Sequence, residues 1–149
     1  MAVIKEVSVK IESSIENLDA TGLADGEAEK NTAEAQGFLH CRDGLMLLTY
    51  SEKGEGGEVY SEILVKNGSV RVKRKGAIES DICFEEGCEH NSIYSVPPYK
   101  FDACVTTRRI RNTLTEDGGM LDLFYNMKIG GADKSARMRI WILPISKQS

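Results

Sequence analysis

Apolar and polar residues alternate along most of this chain. Val7, Val9 and Ile11 alternate with Ser8, Lys10 and Glu12, the period of two expected of a strand with one buried face. The pattern resumes over about Thr32–Cys41 and, past Asp43-Gly44, over Leu45–Ser51. Asn-Gly and Asp-Gly pairs predict tight hairpins because both residues tolerate positive φ. Asn67-Gly68 therefore joins the strand patterns Glu58–Lys66 and Ser69–Lys75, after a break at Gly54-Glu55-Gly56-Gly57. Asp81–Phe84 and Asn91–Val96 read as shorter strands, and Pro97-Pro98 forces a turn or extended corner. Tyr99–Leu114 is long for one strand and predicts a bend or bulge near its middle. Met120–Ile129 and Asp133–Ile145 predict a last hairpin around Gly130-Gly131. Leu121, Leu123, Tyr125, Met127 and Ile129 share one face of its first strand, and Met138, Ile140 and Ile142 share one face of its second.

The acidic segment Ser13–Glu34, with Lys30 its single cation, breaks the alternation and is expected to be a solvated loop. At most a helical turn around Leu23–Lys30 is expected there. Many short strands joined by hairpin-length links predict an all-β protein with antiparallel neighbours. Closure removes exposed edges, so the expected architecture is a closed antiparallel up-and-down β-barrel of about eight to ten strands.

Composition narrows the function. The chain of 149 residues reads as one domain, 1–149. Its formal charge of −4 disfavours a protein built to grip nucleic-acid phosphates. No apolar run approaches the ~20 residues of a membrane span. The start, Met1-Ala2-Val3-Ile4-Lys5-Glu6-Val7, lacks the basic and apolar regions of a secretory signal. A core this large needs no disulfides, so Cys41, Cys83, Cys88 and Cys104 are expected as reduced thiols in the cytoplasm. Cys83, Cys88 and His90 lie close in sequence, but no second cysteine pair follows, so they read as ordinary residues around the turn at Glu85-Glu86-Gly87. Neither a metal nor a cofactor is expected.

Several short motifs recur in a recognisable order: Gly37-Phe38, then Leu48-Thr49-Tyr50-Ser51-Glu52, then Val70-x-Val72-x-Arg74-x-Gly76-Ala77. Thr106-Thr107-x-x-Ile110 and Leu123-x-Tyr125-x-Met127-x-Ile129 follow. Their order and spacing, from about Gly37 to Ile142, resemble the YwiB-like family of small bacterial proteins. That family carries a domain of unknown function and is similar to the calycins, the lipocalin-type barrels. The resemblance implies a closed antiparallel barrel. It implies no established reaction, ligand or catalytic residue. Pro97-Pro98-Tyr99 departs from the Pro and Gly corner frequent in the family.

Candidate chemistry follows from strand faces. Arg71, Lys73 and Lys75 belong in water, so Val70, Val72 and Arg74 should point inward. An inward Arg keeps its proton and needs an anion, either a protein carboxylate or a ligand group; the plainer alternative is an Arg at the barrel mouth with its head in solvent. Phe101, Ala103, Val105 and Thr107 share a face that, continued regularly, reaches Arg109 and Arg111. Phe101 and Val105 read as core, and Thr107 as an inward hydroxyl for a ligand or a neighbouring strand. Arg108, Arg109 and Arg111 form a basic cluster suited to a phosphate or to a solvated face balanced by the acidic segment. Tyr50 and Tyr125 join an apolar body to a polar tip, which suits a pocket and equally a plain core. Trp141 and Leu143 should face outward and could anchor a homodimer. No nucleophile elbow, phosphate-cradling loop or zinc-protease helix occurs, so no catalytic residue is named. The expectation is non-catalytic binding of a small anionic or amphipathic ligand by Arg74, Thr107, Tyr125, Tyr50 and Arg109. A packed barrel acting through its outer surface is the alternative.

Overall fold

The computed structural model describes residues 3–145 apart from Ala20, Gly22, Ala24, Asp25 and Glu55; Met1 and Ala2 lie outside the described residues. Ten strands account for most of them: β1 (Val3–Asn17), β2 (Glu29–Arg42), β3 (Leu45–Gly54), β4 (Gly57–Lys66) and β5 (Ser69–Gly76). They continue with β6 (Ser80–Glu85), β7 (Glu89–Val96), β8 (Tyr99–Asn112), β9 (Gly119–Ile129) and β10 (Ala132–Pro144). No helix occurs among the described residues. The strands form one sheet in the order β6-β5-β4-β3-β2-β1-β10-β9-β8-β7, and every paired neighbour is antiparallel. Chain neighbours are thus sheet neighbours, the first strand pairs with the last, and β6 and β7 meet where the sheet rolls up.

That meeting is thinly hydrogen-bonded, so the barrel is nearly rather than fully closed. One bridge joins Glu79 to Ser95, and the Ser92 hydroxyl donates to the Asp81 carbonyl at 2.8 Å. The β6–β7 turn docks onto β8 instead: the Gly87 amide donates to the Thr107 carbonyl at 2.9 Å and the Thr107 amide to the Cys88 carbonyl at 3.1 Å. The Ile110 amide adds a bond to a Glu86 carboxylate oxygen at 2.9 Å.

The Asp-Gly and Asn-Gly hairpin signals act as expected. Asp43-Gly44 and Asn67-Gly68 hold positive φ at both residues, 49° and 80° in the first and 43° and 81° in the second. This is the turn whose twist matches that of its flanking strands. The core lies inside the barrel, where Val7, Val9, Leu39, Leu48, Ile63, Val70, Phe84, Val105, Leu121, Leu123, Ile140 and Ile142 are fully enclosed. Burying each of these side chains contributes about 1.5–3 kcal/mol.

Three expectations need correction. The segment Ser13–Glu34 is not one solvated loop: β1 runs on to Asn17 and β2 begins at Glu29, so both of its ends are strand. These polar stretches hold because β1 is laddered on both sides, to β2 and to β10. Tertiary hydrogen bonding overrides weak local propensity here. Phe101 is 41% exposed rather than core, because the tip of the β7–β8 hairpin runs past the packed interior.

The third correction concerns Arg109. The β8–β9 register slips between Thr107 and Arg109: Thr107 stands opposite Tyr125, yet Arg109 stands opposite Phe124 and Ile110 opposite Leu123. The extra residue in this β-bulge reverses which side chains face the core. Ile110 turns inward, and Arg109 and Arg111 lie exposed on the outer wall.

Candidate functional site

Directly opposite residues in an antiparallel sheet share a face. Gly37, Tyr50, Ser61, Arg74 and Ser80 stand opposite one another across β2, β3, β4, β5 and β6. Tyr50 is 2% and Ser61 0% exposed, which puts the row on the inner face. Gly37 permits it, since a side chain there would strike the Thr49 carbonyl and come within 2.9 Å of the Tyr50 Cβ.

Arg74 accordingly reaches into the barrel, and one terminal nitrogen contacts the Met138 sulfur on β10 at 3.7 Å. Among the described residues no carboxylate lies within ion-pair distance of it. Its Nε is buried with no hydrogen-bond partner, and so are the Tyr50 hydroxyl, the Ser61 hydroxyl and the Thr107 hydroxyl. Buried polar groups are normally satisfied, so four orphans in one barrel interior call for explanation.

Electrostatics tie Tyr125 to the same place. Burial pushes the Tyr125 phenol above its usual value, and the positive charge of Arg74 opposes that shift. Tyr50 is likewise raised by burial, with Arg74 and the Ser61 hydroxyl opposing, although neither completes a hydrogen bond to it. Both phenols therefore stay protonated and able to donate at neutral pH. The Tyr125 ring packs on Phe84, with centroids 4.9 Å apart and planes at 59°. Thr107 stands opposite Tyr125.

Strand direction shows which end of the barrel this is. Arg74 and Ser80 flank the β5–β6 turn, and Glu79 of that turn bridges Ser95 beside Pro97-Pro98. The tip of the β7–β8 hairpin stands at the same end. Val96 and Tyr99 oppose each other there, as do Tyr94 and Phe101. Val96, Tyr99 and Phe101 are exposed, giving this mouth an apolar, aromatic lip. Glu52, on the same face of β3 as Tyr50, is half-buried at this end; its charge raises the Tyr50 phenol, but it makes no ion pair with Arg74.

The outer wall handles arginine differently. Asp122 on β9 is 1% exposed. It accepts two hydrogen bonds from Arg137, at 3.0 and 2.9 Å, and Arg139 lies 3.6 Å away. Arg137 also covers the Phe124 ring at 4.4 Å. No ion pair joins Arg108, Arg109 or Arg111 to the acidic segment among the described residues. Trp141 lies half-buried on this outer side beneath Lys10, 5.5 Å from its ring centre, beside exposed Leu143.

Of the five candidate residues, the structure brings Arg74, Tyr50 and Tyr125 together, sets Thr107 beside Tyr125 and separates Arg109 from all of them. Ser61 escaped sequence reasoning, and Met138 reads in it only as part of the apolar face of its strand. Ser61 interrupts the apolar stripe Val59, Ile63 and Val65, a signal that could have found it. Among the described residues, no group of three or more His, Cys, Asp or Glu could hold a metal ion. No helix there is long and apolar enough to cross a membrane.

Comparison with known proteins places the chain. It is 26% identical over 106 residues to the uncharacterised β-barrel protein YwiB of Bacillus subtilis, covering 71% of this chain and 75% of that one. The crystal structure of the Bacillus subtilis protein superposes with a TM-score of 0.83 at 23% identity, covering 96% of this chain and 94% of the other, which shows a shared fold. Residues 14–142 match the sequence profile of a domain of unknown function, DUF1934. From that match the chain belongs to the DUF1934 family of β-barrel proteins.

Proposed function

We propose that the protein binds a small anionic or amphipathic molecule, without chemical conversion, at the end of the barrel lined by Arg74. One observation carries this reading: an inward guanidinium with no carboxylate in ion-pair distance among the described residues, flanked there by buried hydroxyls of Tyr50 and Ser61 without partners. A carboxylate or phosphate supplies the missing acceptor and charge together. The apolar lip of Val96, Tyr99 and Phe101 suits an apolar portion of the same molecule. Thr107 and Tyr125 add hydroxyl donors deeper in. The four cysteines are free thiols, and we place the protein in the cytoplasm.

The test is native mass spectrometry of protein isolated from its own cells, joined to a thermal-shift screen of carboxylates, phosphates and fatty acids. A ligand that binds only the folded state raises the unfolding temperature. An anion that stabilises the wild type and loses its effect in Arg74→Met supports the reading. Retention of no small molecule, with no shift from any anion, removes it. A packed barrel acting through the outer surface around Trp141 and Leu143 is the second reading, favoured by the 64% exposure of Leu143. It predicts a protein partner lost on Leu143→Asp and retained in Arg74→Met.

A further inference from the structure

Besides the seam between β6 and β7, part of β2 lies open along one edge. β3 pairs with β2 only through Leu45–Tyr50, against Arg42–Gly37. Residues Glu29–Gln36 of β2 are laddered to β1 on one side, while the rest of β3 turns away to pair with β4. No other hydrogen bond to these eight residues occurs among the described residues. They are mostly exposed, with Ala33 and Ala35 half-buried. An edge strand of this length presents unpaired amides and carbonyls that another strand can satisfy.

The edge reads Glu29-Lys30-Asn31-Thr32-Ala33-Glu34-Ala35-Gln36. We propose that a second copy of this chain pairs here, β2 against β2, antiparallel and about a two-fold axis through Thr32. A two-fold axis normal to the sheet keeps inner faces with inner faces, so only registers that pair odd with odd and even with even are allowed. The register centred on Thr32 sets Lys30 opposite Glu34 of the partner subunit, and symmetry repeats that pair. Thr32 meets its own copy, a favourable cross-strand pair. On the inner face Asn31 meets the partner's Ala33, and Glu29 meets the partner's Ala35.

Neighbouring registers lose this match. Centred on Asn31, Lys30 faces Thr32 and Glu29 faces Ala33. Centred on Ala33, Lys30 faces Gln36 and Glu34 faces Thr32. Centring on Thr32 also uses the whole free edge, ending with Ala28 against Gln36 where β3 takes over the ladder. Within its own chain Glu34 stands opposite Lys10, so each end of the joint sheet carries a lysine–glutamate–lysine row on the outer face. Charged residues on an edge also serve to keep strands apart, and the two roles separate on charge exchange.

The experiment is sedimentation equilibrium of the full chain at rising concentration, with Lys30→Glu, Glu34→Lys and the double exchange Lys30→Glu/Glu34→Lys. A concentration-dependent dimer is expected for the wild type. Each single reversal puts like charges opposite twice and should weaken dimerisation about tenfold or more; the double exchange restores both pairs and should return it to near wild type. Thr32→Cys should form a disulfide between subunits on oxidation, identified by the mass of the linked peptide, whereas Ala33→Cys, facing Asn31, should not. All four positions are solvent-facing or half-buried, and circular dichroism confirms each fold. A monomer at millimolar concentration overturns the proposal. So does a dimer indifferent to the single reversals, or one that the double exchange fails to restore.

Discussion

Two arginines, one inside the barrel and one on its wall, are treated in opposite ways. Arg137 meets a dedicated carboxylate, Asp122, through two hydrogen bonds, and its flat face lies on Phe124. Arg74 reaches into the interior and meets a methionine sulfur, with unpartnered hydroxyls beside it. The fold thus completes a guanidinium where the task is to hold β9 to β10 and leaves one incomplete where the barrel opens. The Asp122 pair stiffens the wall between β9 and β10, whereas the Arg74 Nε has no hydrogen-bond partner among the described residues.

Substitutions can break that contrast. Asp122→Ala should have the largest effect, a loss of about 3 kcal/mol in denaturant unfolding, because it strips Arg137 of its buried acceptor and Arg139 of its nearby counter-charge. Arg137→Met should cost about 2 kcal/mol for the converse reason. Arg74→Met should leave stability unchanged or raise it by up to about 1 kcal/mol, since it removes an unpaired, half-buried charge. If Arg74→Met destabilised the protein as much as Arg137→Met does, the two sites would be alike and the contrast would fail. Tyr50→Phe deletes a hydroxyl that lacks a partner, so unfolding should shift by less than about 1 kcal/mol.

A third arginine gives the smallest effect. Arg71 donates two bonds to Asp81, at 2.8 and 2.6 Å, on the exposed face of β5 and β6. These bonds hold the Asp81 carboxyl below its ordinary value of 3.8. A carboxylate lowered in the native state adds stability that is fully present above the unfolded value and is lost as pH falls through the native one. Wild type should therefore be slightly more stable than Arg71→Ala at neutral pH. The gap should begin to narrow as the pH falls through 3.8 and close only below the lowered native value, as urea melts across that range will measure.

The strands were readable because alternation is a local signal. Val70, Val72 and Arg74 announced their shared face, and Asp43-Gly44 and Asn67-Gly68 announced their turns. What stayed hidden depends on neighbours distant in sequence. The polar ends of β1 and β2 are strand because each lies against the other and β10 holds β1 from the far side. Asp122 looks like a surface residue between Leu121 and Leu123 until Arg137 and Arg139 fold over it. Tyr99–Leu114 was long enough to signal a bulge, but its position decided the fate of Arg109, and residue type did not mark it.

That bulge has a consequence for how the chain tolerates change. Sidedness in a strand is a matter of counting, and Arg108, the supernumerary residue, resets the count. Deleting Arg108 would straighten the strand with Arg109 and Arg111 still outside and Ile110 still inside, because Thr107–Tyr125 and Arg109–Phe124 would then be successive pairs. A single-residue gap should therefore be absorbed at the bulge, as in a hairpin loop, and should turn one flank of the strand inside out anywhere else in β8, where length variation ought to come in twos.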